Sequence, residues 1–448
     1  GGEENTHCCP ICTGMPGVLP VLNKKVVEYA VKAGLATNCE IARFSKQDRK
    51  NYFYPDLPKA YQVSQYDLPL CKNGYIDIEV NGVQKRIGLT RIHIEEDAGK
   101  LIHDEWDRGT LVDYNRCGVP LIEIVSEPDI RSAEEAKAYL EQLKAILEYI
   151  GVSDCKMQEG SLRADVNLSI RPVGQKEFGT RTEMKNLNSF KAIIRAIEGE
   201  FKRQKTELEY GGVIVQETRR WDDNKGVSVA MRSKEEAHDY RYFPEPDLVP
   251  IVLDDSYIEE IRASLPELPE ARKKRYVEEF GLPEYDSAIL TSSKYYADFF
   301  EEAVKMCDNA KAVSNWIMGD LMRILKEKEM EPSDIPFPAE YLAKLVKLID
   351  AGKISGTIAK KVFDKMFQTQ KDPEVIVKEE GLEVVNDEGA LVGIVKKVLE
   401  ANPQSVADYK GGKEKAFGFL VGQCMKESKG KGNPQIINKI LKDELGKI

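Results

Sequence analysis

The chain reads as an α+β protein: an antiparallel-sheet cradle followed by an all-helical domain and a helical tail. Three observations predict this. Two alternating runs, 75–80 and 87–94, flank Asn81-Gly82, and an Asn-Gly pair between such runs is a strong hairpin signal. Strands and helices then mix without regular βαβ alternation until proline begins to punctuate the sequence after Tyr242-Phe243-Pro244. From about residue 257 the apolar spacing is helical throughout, in short pieces broken by Pro266, Pro269, Pro283, Pro332, Pro336 and Pro338. A length of 448 residues supports about three domains, placed at 1–265, 266–365 and 366–448.

The elements follow in order. Asn23 caps a helix whose Val26, Val27, Ala30 and Val31 share one face, closed by Gly34. The hairpin's second strand ends at His93-Ile94-Glu95-Glu96-Asp97, where alternation sets Glu96 with Ile92 and Ile94 and opposite His93 and Glu95. Ser132-Ala133-Glu134-Glu135 forms a capping box for a helix that buries Ala136, Tyr139, Leu140, Leu143, Leu147 and Ile150. A strand over 160–171 points Leu162, Ala164, Val166, Leu168 and Ile170 one way, and Ser161, Arg163, Asp165, Asn167, Ser169 and Arg171 the other. A second strand, 180–185, sets Arg181, Glu183 and Lys185 on one face. A helix follows with Phe190, Ile193, Ile194, Ile197 and Phe201 inward, then a hairpin over 213–232.

Composition excludes several classes. No apolar run approaches the roughly 18 residues a membrane span needs, and no charged-then-apolar leader opens the chain. Nine scattered cysteines do not form a disulfide framework, so a reducing, cytoplasmic setting is expected. A net charge of −10 argues against nonspecific coating of nucleic acid but leaves room for basic patches. One such patch is the segment 410–442, with eight lysines against two glutamates. Within it Lys426, Lys429 and Lys431 sit on a Gly-punctuated loop before a helix start, which suits a nucleic-acid phosphate as well as it suits a solvated surface.

Three adjacent carboxylates repel one another, so Glu95, Glu96 and Asp97 need a cation, a metal or a basic partner nearby. Neither a Gly-x-x-x-x-Gly-Lys loop nor a Gly-x-Gly-x-x-Gly turn is present, so any nucleotide is held by a less common arrangement. The carboxylates Asp165 and Glu183 on polar strand faces, with Lys50, Arg163 and Arg181, are the candidates. Periodicity alone is satisfied by a solvated face. The face Ser-Arg-Asp-Asn-Ser-Arg is nonetheless rich in short acceptors and guanidinium forks, which suit metal and phosphate. Cys9 and Cys12 have the spacing of half a zinc knuckle, with Cys8 and His7 the only near neighbours. His93, His103 and His238 carry no triad-like context and read as surface or structural residues.

These motifs together resemble one family. Cys9-Pro10-Ile11-Cys12, Asp48-Arg49-Lys50-Asn51-Tyr52-Phe53-Tyr54-Pro55-Asp56, His93 to Lys100, Glu159-Gly160-Ser161-Leu162-Arg163 and Asp239-Tyr240-Arg241-Tyr242-Phe243-Pro244 are similar to the GatB family, the second component of aspartyl/glutamyl-tRNA amidotransferases. The last third resembles the YqeY-type helical tail of that family. The resemblance implies an ATP-dependent ligase that phosphorylates the side-chain carboxylate of mischarged Glu-tRNA(Gln) or Asp-tRNA(Asn) and amidates it with ammonia. It implies ATP and Mg²⁺, a structural Zn²⁺, two partner proteins (the glutaminase GatA and the bracing GatC), and tRNA contact through Lys426, Lys429 and Lys431. Carried onto this chain, Lys50, Glu96, Asp165 and Glu183 are catalytic. Glu96, Asp165 and Glu183 hold Mg²⁺, Lys50 and Arg163 bind nucleotide, and Cys9 and Cys12 are half of a zinc site. Glu95 and Asp97 are expected behind the site or at the surface. Family members begin with a strand carrying Gly-Leu-Glu-x-His, absent here, so the rest of both sites is expected upstream of Gly1. The competing reading is a tRNA-binding scaffold without catalysis of its own.

Overall fold

A computed structural model describes residues 2–103, 109–231, 240–384 and 387–447. Two compact units divide the chain, Gly1–Ala271 and Arg272–Ile448.

In the first unit α1 (Lys24–Ala36) leads into short strands β1 (Glu40–Ile41), β2 (Phe44–Ser45), β3 (Asp48–Asn51) and β4 (Tyr61–Ser64). The long hairpin β5 (Cys71–Val80) and β6 (Val83–Glu96) follows, then β7 (Lys100–His103), β8 (Thr110–Asp113), β9 (Pro120–Ser126) and α2 (Ala133–Tyr149). A second layer holds β10 (Val166–Leu168), β11 (Thr182–Lys185), α3 (Phe190–Glu209), β12 (Thr218–Asp222) and β13 (Val227–Ala230). The strands β14 (Phe243–Pro244) and β15 (Ile251–Val252) and the helix α4 (Asp255–Ala263) complete it. The sheets have orders β1-β5-β6-β9, β10-β11-β12-β13 and β14-β3-β4, with pairs β15-β2 and β7-β8. All pairings are antiparallel except β11 with β12. The α+β expectation holds.

The hairpin forms where Asn81-Gly82 requires it: both residues have positive φ (+53° and +75°), and Val80 pairs Val83 across the turn. The helices α1 and α2 cover one face of this sheet, burying Val31, Ile76, Ile87, Ile92, Leu143 and Ile146 in a common core. Ser132 caps α2 by accepting from the Glu135 amide at 3.1 Å, while the Glu135 carboxylate accepts from the Arg131 amide at 2.6 Å. Gly34 does not close α1. The helix continues to Ala36, and a Cβ at Gly34 would stand 2.6 Å from Cys71 Sγ, so this glycine admits the sheet against the helix.

Two expectations shift in the second layer. The strand expected over 160–171 is regular only at Val166–Leu168. The inward face of α3 is Ala192, Ile193, Ala196, Glu200 and Gln204, with Phe201 exposed. Hydrophobic periodicity missed this because the buried stripe is partly polar. Glu200 accepts from Thr182 Oγ1 (2.8 Å), Ser228 Oγ (2.7 Å) and the Arg203 guanidinium, so it ties α3 to both β11 and β13. The apolar positions of β10 and β11 pack against Ile193 and Trp221, leaving their other face open.

The second unit is helical. Phe300, Leu342, Val346, Phe363 and Met366 are buried in its first part, and Leu391, Val395, Leu420, Ile437 and Leu441 form a separate core near the end. The boundary expected at 365/366 falls inside the helix Gly356–Thr369. Among the described residues no helix is long and apolar enough to cross a membrane.

Burial pushes the Glu200 carboxyl up, but Arg203, Ser228, Gln204 and Thr182 outweigh it and hold it at about 2. Its folded pKa is below the ordinary carboxylate value, so its stabilisation is complete above pH 4.5 and fades as pH falls toward 2. The Glu200→Gln variant should therefore be less stable than the parent by about 3 kcal/mol at pH 7. Urea denaturation followed by circular dichroism should show the difference narrowing below pH 4.5; a gap independent of pH would remove the charge from this role.

Candidate functional site

The site is assembled around the last residues of β6. Side-chain parity changes on this strand: Ile87 and Leu89 enter the core, then Ile92 and Ile94 do. The change falls at Thr90, where β6 carries one residue more than β9 and where the neighbouring Asn73 of β5 has φ +57°. His93 and Glu95 therefore leave by the other face, which β3 and β4 cover, and are 6% and 7% exposed. Of the places expected for these two residues the surface is the one not taken: Glu95 and His93 both sit inside the polar centre.

Each carboxylate of the acidic run meets different cations. Glu95 Oε2 accepts from Ser64 Oγ at 2.7 Å, and its Oε1 lies 3.6 Å from Lys50 Nζ. Burial raises the Glu95 carboxyl, and His93, Lys50 and Ser64 more than reverse this, leaving it below the ordinary value. Glu96 is paired to Lys59 Nζ and accepts from the Val63 amide at 3.2 Å. Asp97 is buried and takes Arg163 Nη2 at 2.5 Å and Arg116 Nε at 3.4 Å. Lys50 is thus brought to Glu95 and not to Glu96, and Arg163 rests on Asp97.

Arg91 Nε donates to His93 Nδ1 at 3.1 Å, while its Nη1 donates to the Tyr66 carbonyl at 2.6 Å. A guanidinium can only donate, so Nδ1 accepts and the ring proton sits on Nε2. That N–H faces Glu95 Oε2 (3.5 Å) and Glu123 Oε2 (3.7 Å). His93, Glu95 and Glu123 are the one group of three or more His, Cys, Asp or Glu among the described residues whose ligand atoms lie within 4.8 Å of one another. With the proton on Nε2, His93 turns an N–H donor toward Glu95, while Glu123 stands beyond hydrogen-bond distance. An aromatic wall adjoins the group: Tyr66 stacks on Tyr242 at 4.4 Å, and Lys50 Nζ lies 5.1 Å from the Tyr240 ring centre.

Asp165 and Glu183 meet on the open face of the second layer. Val166 pairs Met184 and Asn167 pairs Glu183, which carries Asp165 opposite Lys185. Lys185 Nζ lies 3.3 Å from Asp165 Oδ2 and 3.5 Å from Glu183 Oε1. Thr218 Oγ1 donates to the other oxygen of Glu183 at 2.9 Å. Burial lowers the Lys185 ammonium's pKa, but the two carboxylates raise it above the ordinary lysine value. Two carboxylate oxygens converging on one cation, half-exposed, are the hard donor set that Mg²⁺ takes with waters or phosphate oxygens completing its shell. The residues fit that ion. Glu96, held by Lys59, is not gathered into this pair.

At the chain's start Cys9 Sγ and Cys12 Sγ are 3.2 Å apart, and the Cys12 amide donates to Cys9 Sγ at 3.4 Å. That amide and the Cys12 thiol lower the Cys9 thiol, which favours the thiolate a metal needs. Cys8 Sγ instead donates to the Asn5 carbonyl, and the nearby Cys117 thiol is pushed up to about 11 by burial. The pair fits half of a tetrahedral zinc site. In the second unit Lys426 lies in the last turn of the helix Glu414–Glu427, Lys429 has φ +53°, and Lys431 Nζ donates to the Gly381 carbonyl at 2.6 Å. Of the other histidines, His103 ends β7 and His238 lies outside the described residues.

Reading the sequence missed Lys59, Arg91, Arg116 and Glu123. No periodicity or spacing assigned them a role, although Arg91, Arg116 and Glu123 stand in or beside the motifs, whereas Lys185 was legible as the same-face neighbour of Glu183.

Residues 1–259 match the GatB/GatE catalytic domain and residues 298–445 match the GatB domain. The chain belongs to the GatB family, whose complexes are ligases. It is similar to proteins named as the B component of aspartyl/glutamyl-tRNA(Asn/Gln) amidotransferase. That of Caldicellulosiruptor bescii is 69% identical, that of Thermoanaerobacter sp. 65% and that of Carboxydothermus hydrogenoformans 61%; each match covers 100% of this chain and 94% of the relative.

The His93 tautomer is measurable. In protein labelled with ¹⁵N-histidine, the His93 resonances should show a bare Nδ1 and a protonated Nε2, and Arg91→Met should erase that signature. A protonated Nδ1 in the parent protein would overturn the assignment.

Proposed function

We propose that this chain is the activating component of a glutamine-dependent tRNA amidotransferase, using ATP to phosphorylate the side-chain carboxylate of mischarged Glu-tRNA(Gln) or Asp-tRNA(Asn) and passing it to ammonia. The observation that carries the reading is the convergence of Asp165 and Glu183 on one cation position at an open sheet face. A carboxylate is a poor acyl donor, so its oxygen must first take the γ-phosphoryl, with the bond to the bridging oxygen breaking and ADP leaving. Ammonia nitrogen then bonds to the carbonyl carbon and phosphate departs. Mg²⁺, when bound, supplies charge neutralisation at the phosphoryl oxygens.

The chain's own residues do the positioning. Asp165 and Glu183 would hold the ion, the latter oriented by Thr218. Lys50, set beside the ionised Glu95, offers fixed positive charge to developing phosphoryl negative charge. Arg163 is a second cation of the phosphate path, steadied on Asp97. Glu96 remains a candidate for the same ion, which requires release of Lys59. Ammonia would come from a glutaminase partner of the GatA kind, with a GatC-type protein joining the two. Zn²⁺ at Cys9 and Cys12 would be structural, and Lys426, Lys429 and Lys431 would meet the tRNA backbone.

The experiment is ADP release from ATP in the assembled complex, with Glu-tRNA(Gln) present and glutamine omitted. Charged-tRNA-dependent release should fall roughly 100-fold in Asp165→Asn and in Glu183→Gln, the loss expected when a metal ligand goes. Undiminished release would leave only the scaffold reading. Charge reversal at Lys429 should weaken tRNA binding and reduce its salt dependence by about one counterion without changing glutamine hydrolysis. An unchanged tRNA affinity would take the tail loop off the tRNA surface.

A further inference from the structure

Asp165 and Glu183 already hold a cation, and it is part of the chain. Lys185 Nζ occupies the position between Asp165 Oδ2 (3.3 Å) and Glu183 Oε1 (3.5 Å), where a divalent ion shared by the same two oxygens would sit. An ammonium and a divalent ion cannot share that space. Two such charges in contact repel strongly even with screening. We propose that Lys185 is a built-in placeholder: it keeps the two carboxylates converged in the metal-free chain and must be displaced when the ion binds. This rests on the assignment of Asp165 and Glu183 as the ion's ligands.

Three features support displacement over a permanent structural bridge. The strand register sets Lys185 across from Asp165 and two residues beyond Glu183, so all three share one face and the ammonium approaches from the open side. The lysine side chain is 43% exposed, so its four-carbon stem can swing away without crossing packed core. Glu183 keeps its orientation by other means, since Thr218 Oγ1 donates to the oxygen Lys185 does not use. Glu183 therefore keeps its place while the lysine gives way to an incoming ion. Without any cation, two facing carboxylates repel, which gives the lysine its work in the empty state. A lysine suits this role better than an arginine, because its ammonium is a single mobile point charge while a guanidinium would fork across both carboxylates and resist exchange.

The test uses the assembled complex and Mn²⁺ alone as probe, read by electron paramagnetic resonance and by thermal unfolding. The parent should bind Mn²⁺ at a site lost in Asp165→Asn. The Lys185→Met variant should bind it about tenfold more tightly, as removal of a competing cation requires. Its melting temperature should be lower than the parent's without metal and should rise more on adding Mn²⁺. The Lys185→Arg variant should bind the ion more weakly than the parent. If the parent binds Mn²⁺ through Asp165 but Lys185→Met leaves the affinity unchanged or weaker, the placeholder role is overturned and the metal assignment stands. If no Mn²⁺ site depends on Asp165, the metal assignment itself fails, and the placeholder with it.

Discussion

Three consecutive carboxylates at the end of β6 can be taken out of water only because a different cation meets each one. Successive residues of a strand point to opposite faces, so no single basic element could serve them all. Glu95 is met from β3 by Lys50, with the neutral His93 of its own strand turning Nε2–H toward it, Glu96 by Lys59 from the loop after β3, and Asp97 by Arg116 and Arg163. Leaving a buried charge without its partner costs about 3–5 kcal/mol, far more than a surface pair contributes. The acidic run is therefore a knot: it pulls the small β14-β3-β4 sheet, the segment before β9 and the entry to the second layer onto one strand end.

That knot also explains what could be read in the sequence. The hairpin, α1 and α2 were legible because each rests on local rules that tertiary contacts obey here: an Asn-Gly turn, an Asn cap, a Ser cap with Glu three residues on. The pairing of Asp165 with Glu183 was legible as two polar faces, although only three residues of the first strand are regular. Of the cations that meet the acidic run, Lys50 and Arg163 were legible and Lys59 and Arg116 were not. Lys59 and Arg116 come from irregular segments with no periodicity, and the contacts that assign them span long stretches of chain. His93 was underrated because a histidine's role depends on which nitrogen carries the proton, and that is set by Arg91 in three dimensions.

The second layer shows the opposite kind of error. A count of apolar residues turned α3 toward Phe201, but the helix buries Glu200 and Gln204 instead. A fully bonded carboxylate beneath the sheet fixes how α3 sits on β11 and β13, and so the orientation of the strand whose outer face carries Glu183 and Lys185. The polar contents of this small core are directional where apolar ones would allow sliding. The proposed metal site thus has its geometry set from behind.

The irregularity at Thr90 has a further meaning. If the alternation begun by Ile87 and Leu89 ran on unbroken, Arg91, His93 and Glu95 would be driven into the apolar core, and Ile92 and Ile94 would face the polar centre. One residue of excess length, matched by the left-handed Asn73 alongside, exchanges the two sets. The chemistry at this end of the strand is therefore a matter of counting as much as of residue type. Removing Thr90 would make the alternation regular and still send Ile92 and Ile94 inward, so such a deletion would disturb the pairing with β9 and Asn73 and not the facing of His93 and Glu95.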